Sequence, residues 1–177
     1  MEEMAALQVD RPTPVEGPAD ETSRLRRMLV PLDGSPVAET IIPFVSRIAR
    51  PLGLEIVLLR AVPAVPPQVV EGGARHMVID NTDRLRQEAD DYLRATADGL
   101  STNGFRVLTA VRVGDAATEI VAGARECQVD VIAMTTHGRT GLGRLLFGSV
   151  AEAVLRRAHV PVLTMRATEA ERTAQAA

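Results

Sequence analysis

Five short apolar runs alternate with four segments of helical period, and this alternation sets the fold. The runs cover 28–32, 55–62, 105–113, 129–134 and 160–165. Between them, Val37, Ile41, Phe44, Val45 and Ile48 share one helix face. Leu85, Ala89, Leu93, Ala97 and Leu100 share another, as do Ala116, Ile120, Val121, Ala124 and Cys127. A last helix is expected over 149–158. Strands separated by helices require right-handed crossovers and parallel pairing. The 55–62 run, EIVLLRAV, is apolar without alternation, as in a sheet covered on both faces. The expected fold is therefore α/β, a doubly wound five-stranded parallel sheet sandwiched by four helices, in strand order 3-2-1-4-5.

Local signals place the element ends. Pro31 cannot donate to a ladder, so it belongs at the C-terminal end of the first strand. Ser35 followed by Pro36 reads as a helix N-cap and first helical position. Pro43 should kink that helix, and Asp115 should cap the third. Residues 63–78 hold Pro63, Pro66, Pro67, Gly72 and Gly73 and read as a long loop without a period of its own. Ser149-Val150-Ala151-Glu152 has the S-x-x-E form of a capping box, with Ser149 as the cap.

One domain is expected over 24–167. Residues 1–23, rich in Pro, Glu and Asp, read as a disordered N-terminal tail, and 168–177 as a C-terminal tail. A formal charge of −3, with three Phe, one Tyr and no Trp, argues against nucleic-acid binding. No apolar run is long enough to span a membrane, and no signal-peptide pattern is seen. The single cysteine, Cys127, precludes an internal disulfide and reads as a buried small hydrophobe; a cytoplasmic protein is expected. His76, His137 and His159 show no ligand spacing, so a zinc site is not expected.

In doubly wound sheets, ligands bind where the strand order reverses. Here that point lies between the first and fourth strands. Asp33 ends the first, placed to accept ribose hydroxyls or to contact Mg²⁺. The fourth strand runs into a segment holding Gly138, Arg139, Gly141, Gly143 and Arg144, then Gly148-Ser149 at a helix start. Flexible backbone ending on a helix N-terminus favours phosphate. The spacing is neither a Walker A loop nor a dinucleotide fingerprint.

At these residues the chain resembles the universal stress protein family. The likeness rests on MLVPLDGSPVAE, VRVGDAATEIVAGA and DVIAMTTHGRTGLGRLLFGSVAEAVLRRAHVPVLTM, across about 26–166. One branch of that family binds ATP through a G-x2-G-x9-G-[S/T] pattern. Gly138, Gly148 and Ser149 match it, and Thr135 stands at the first glycine position. The resemblance implies that Pro31, Leu32, Asp33 and Ala61 line the adenosine side, with Met134 and Thr135 beside it. His137, Gly138, Arg139, Gly148, Ser149 and Val150 would surround the phosphates. The implied ligand is ATP, or AMP or ADP, with or without Mg²⁺. The implied role is stress-response signalling or protection through a homodimer, paired by the strand at 160–165, and a protein partner that the sequence does not name. Slow ATP hydrolysis, or action through the dimer surface without nucleotide, are the alternatives; a binding protein rather than an enzyme is expected.

Overall fold

The computed structural model describes residues 25–64, 68–72, 75–79, 81–136 and 148–167. The tails expected at 1–23 and 168–177 lie outside these residues.

Strand β1 (Arg27–Pro31) is central. Helices α1 (Pro36–Glu39) and α2 (Ile41–Leu52) follow, then β2 (Glu55–Val62). Two short strands, β3 (Gln68–Gly72) and β4 (Arg75–Ile79), precede the long α3 (Asn81–Thr102). The chain continues through β5 (Val107–Val113), α4 (Ala116–Glu126), β6 (Val131–Thr136), α5 (Ser149–Arg157) and β7 (Val162–Arg166). The main sheet is five-stranded and parallel, in order β5-β2-β1-β6-β7. Counted along that sheet, this is the expected order 3-2-1-4-5.

Alternation along the strands divides the core into two layers. Met28, Val30, Ile56 and Leu58 pack with Ile41 and Val45 of α2 and Leu93 of α3. Leu29, Val57, Leu59 and Ile132 face the other way, toward Ile120 of α4 and Val154 of α5. Both faces of the central strands are thus buried, which is why their sequences lack polar alternation. Cys127 sits at the rim of the second layer, half-buried rather than enclosed.

Two expectations need correction. The segment at 63–78 is not without secondary structure: β3 and β4 pair antiparallel, from Gln68 opposite Ile79 to Gly72 opposite Arg75. The prolines and glycines around these short runs obscure them in the sequence. The first helix is interrupted at Thr40 rather than bent at Pro43. The cause is still Pro43, which offers no N–H to the Glu39 carbonyl and crowds it, so the break falls one turn earlier. Thr40 closes α1 with a backbone N–H to the Val37 carbonyl at 3.3 Å and its hydroxyl to the same oxygen at 2.8 Å.

Candidate functional site

A missing donor opens the sheet at its switch point. Leu32 donates its backbone N–H to the Leu59 carbonyl at 2.9 Å, so even-numbered residues of β1 face β2. Odd-numbered residues face β6, and at Pro31 there is no N–H to offer. Pairing between β1 and β6 ends at Leu29 opposite Ile132. Strand β6 nevertheless runs on to Thr136, held by β7 on its other side. The two central strands therefore part, and a cleft of about 210 Å³ occupies the gap.

The β1–α1 turn forms one wall. Asp33 Oδ1 accepts the Ser35 N–H at 2.8 Å, and Ser35 Oγ accepts the Ala38 N–H at 3.1 Å. Ser35 is thus the N-cap and Pro36 opens the helix, as expected. Gly34, at φ +84°, takes a left-handed conformation that a side chain would strain. Holding its own turn occupies one Asp33 oxygen; the side chain remains exposed at the cleft mouth.

Strand β6 supplies the floor through Met134 and Thr135. Thr135 is buried, and its hydroxyl donates to the Ala38 carbonyl at 3.3 Å. It also lies 3.5 Å from the Thr40 hydroxyl. The side chain at the first glycine position of the pattern is therefore engaged with the end of α1. The opposite wall is the start of α5. Here Gly148, not Ser149, is the N-cap, with extended backbone and no side-chain capping bond. The expected capping box is not formed. Ser149 lies one residue inside the helix, and the Glu152 carboxylate pairs with Arg156 one turn on. With no side chain capping it among the described residues, the α5 N-terminus presents N–H groups and its positive dipole end to the cleft.

Nine of the twelve residues singled out from the sequence line this one cleft: Pro31, Leu32, Asp33, Ala61, Met134, Thr135, Gly148, Ser149 and Val150. The other three, His137, Gly138 and Arg139, lie outside the described residues, as do Gly141, Gly143 and Arg144. The cleft also includes Ala38, Leu59, Ala116, Ile120 and Ala151, which the sequence reading missed. Their small or apolar side chains cannot be told from ordinary core positions by pattern. Among the described residues Asp33 offers the only carboxylate in the lining, and no cluster of three or more His, Cys, Asp or Glu suited to a metal occurs. Magnesium held by nucleotide phosphates plus one carboxylate is compatible with that donor set.

The sequence model of the universal stress protein family matches residues 24–166, and with them every described element. The chain belongs to the universal stress protein family. Universal stress protein MJ0531 of Methanocaldococcus jannaschii is 30% identical over 146 residues, spanning 82% of this chain and 85% of that relative. Among solved structures, protein MJ0577 of the same organism superposes with a TM-score of 0.64 at 25% identity, covering 82% of this chain and 98% of its own. The universal stress protein of Archaeoglobus fulgidus, solved in complex with dAMP, gives 0.56 at 22% identity, covering 78% and 96%. These likenesses agree with the fold described above. No helix among the described residues is long and apolar enough to cross a membrane.

Proposed function

We propose that this universal stress protein binds an adenine nucleotide, ATP foremost, in the cleft between β1 and β6. The observation that carries the reading is convergence. Residues from four separate segments, each expected to contact adenosine or phosphate, line one opening beside the N-terminus of α5. The dAMP complex of the Archaeoglobus fulgidus relative supports an adenine nucleotide as the ligand class. In this reading the base and ribose lie against Ala61, Met134 and the Asp33 turn. The phosphates lie toward α5, with Gly138 and Arg139 as further expected contacts, and Asp33 would be the carboxylate to hold a Mg²⁺ that offsets their charge.

The protein acts by binding rather than by catalysis. Nucleotide occupancy biases the contacts of a homodimer, or of a protein partner, in a cytoplasmic stress response. Strand β7 is an edge of the main sheet, which suits it to pair with a second copy. Mass spectrometry of small molecules released by heating the purified protein is the first test, with an adenine nucleotide as the expected species. Calorimetric titration with ATP is the second. Gly138→Val should abolish the binding heat while leaving the circular dichroism spectrum unchanged. A protein that releases no nucleotide and shows no heat with ATP would overturn the reading; unchanged affinity in Gly138→Val would overturn the phosphate placement.

A further inference from the structure

Helix α1 is one turn long, and it touches both the cleft and α3. Thr40 separates it from α2, and Gly34 enters it in a left-handed conformation. Its own backbone bonds are long. The Glu39 N–H lies 3.3 Å from the Ser35 carbonyl, and the Thr40 N–H lies 3.3 Å from that of Val37. A single turn fixes several dihedrals for little bonding, so contacts with the rest of the fold must hold it.

Toward the cleft, Ala38 is a lining residue, and its carbonyl accepts the Thr135 hydroxyl at 3.3 Å. Toward α3, the Glu39 carboxylate accepts the Tyr92 hydroxyl at 2.8 Å. This second bond is the shorter, and its donor has a firm base. Leu93, next to Tyr92, is fully buried, and Ala89 and Ala97 anchor the same stretch of α3. The half-buried Tyr92 ring also meets the Arg60 guanidinium, whose carbon lies 5.1 Å from the ring centre. Arg60 in turn abuts the turn that starts α1, where a Cβ on Gly34 would stand 3.0 Å from Nη1. Two chains of contact thus run from the cleft wall to one phenol. One passes through Glu39 at the end of α1, the other through Arg60 and Gly34 at its start.

We infer that Glu39 and Tyr92 are positioning residues for the nucleotide cleft: their bond holds the α1 wall in place and couples cleft occupancy to α3. The inference rests on the adenine-nucleotide reading, because it needs a ligand against Asp33 and Ala38. Neither residue lines the cleft, so both act through α1. A wall held in place beforehand need not be ordered by the ligand, which tightens binding. Linkage makes the effect mutual: loosening the bond weakens nucleotide binding, and bound nucleotide tightens the bond.

Tyr92 is the one tyrosine and there is no tryptophan, so tyrosine emission of the full chain reports this contact alone. The test is titration with ATP followed in parallel by calorimetry and by that emission. Emission should change as the sites fill, with the midpoint of the heat. Glu39→Ala should weaken ATP binding about threefold and remove most of the emission change. Tyr92→Phe, which keeps the ring, should weaken binding by a similar factor and carries the test if the alanine variant folds poorly. The double variant should lose no more than either single, because both remove one bond. Glu39→Gln still offers the hydroxyl an oxygen acceptor and should restore parental affinity. If ATP gives heat but leaves emission unchanged, or if both single variants bind like the parent, the coupling is wrong while the nucleotide reading stands. Losses that add in the double variant would equally overturn it. No heat with ATP in the parent would take down both readings.

Discussion

Gly123→Ala sets two effects of opposite sign against each other, and the packing around Gly123 decides which wins. The residue is buried inside α4. In a helix interior, replacing glycine with alanine ordinarily stabilises by about 1 kcal/mol. Here a Cβ would stand 2.4 Å from Leu59 Cδ1. Carbon atoms in contact prefer roughly 3.5–4.0 Å, so more than about 1 Å must be cleared. Leu59 is fully buried, so its methyl can shift only against packed neighbours or toward the cleft it lines. Forcing a methyl into such a core costs roughly 1–3 kcal/mol. Taking the middle of that range, the net is a loss of about 1 kcal/mol. Urea unfolding should show a lower midpoint with an unchanged slope. Leu59 also lines the cleft, so the displaced methyl should weaken ATP binding as well. Combining the change with Leu59→Ala provides an internal check. Leu59→Ala alone should cost roughly 2–5 kcal/mol. The double variant should lose less than the sum of the singles by on the order of 1 kcal/mol, because the new methyl then fills vacated space. A raised midpoint for Gly123→Ala, as helix propensity alone demands, would refute the packing argument.

Two further outcomes follow from side-chain environments. Burial, and then the hydrogen bond to Glu39, push the Tyr92 hydroxyl above its ordinary value of 10. The fold favours the neutral phenol, so its contribution is complete below pH 10 and is lost as pH rises beyond that. Tyr92→Phe should flatten the alkaline limb of stability against pH, measured by urea unfolding between about pH 8 and about pH 11. As the chain has one Tyr, phenolate absorbance in the native protein reports this group alone, and ionisation near the ordinary value would refute the assignment. Thr135→Val keeps the β-branched shape but removes the donor to the Ala38 carbonyl. It should cost about 1 kcal/mol in urea unfolding; a variant as stable as the parent would show that the hydroxyl does not tie β6 to α1.

The parts of the fold that depend on local chemistry could be read from the chain. Ser35 and Asp115 cap their helices through the N–H groups of Ala38 and Thr118, as their positions before apolar helical faces suggested. Pro31 lies at the strand end, as its missing donor required. The misses share a different cause. S-x-x-E describes a capping box only when the serine lies outside the helix. With Gly148 extended at φ −67° and ψ 158°, the helix begins one residue earlier than the motif assumes, and Ser149 falls inside it. Glu152 then has Arg156 within reach and no cap to complete. Arg60 was passed over for a related reason. Inside EIVLLRAV it looks like one charge in a buried strand, and only the fold brings it against Gly34 and Tyr92.

Pro31 and Gly34 show how the site follows from backbone limits rather than from reactive groups. Without an N–H at Pro31, β1 cannot continue its pairing with β6, so the sheet parts after Leu29, four residues before Asp33. The chain must then turn at once into α1, and Gly34 takes the left-handed conformation that allows it. The absence of a Cβ there also lets the Arg60 guanidinium lie flat against the turn. The same two residues thus open the cleft, aim Asp33 across it and seat a cation behind it. Any side chain at Gly34 would strain φ and press on the guanidinium together. Gly34→Ala should therefore lower the urea midpoint and weaken ATP binding in one step, whereas Arg60→Gln removes the cation and leaves the turn's backbone geometry in place. A Gly34→Ala protein with the parental midpoint and ATP affinity would break the link between the turn and the cleft.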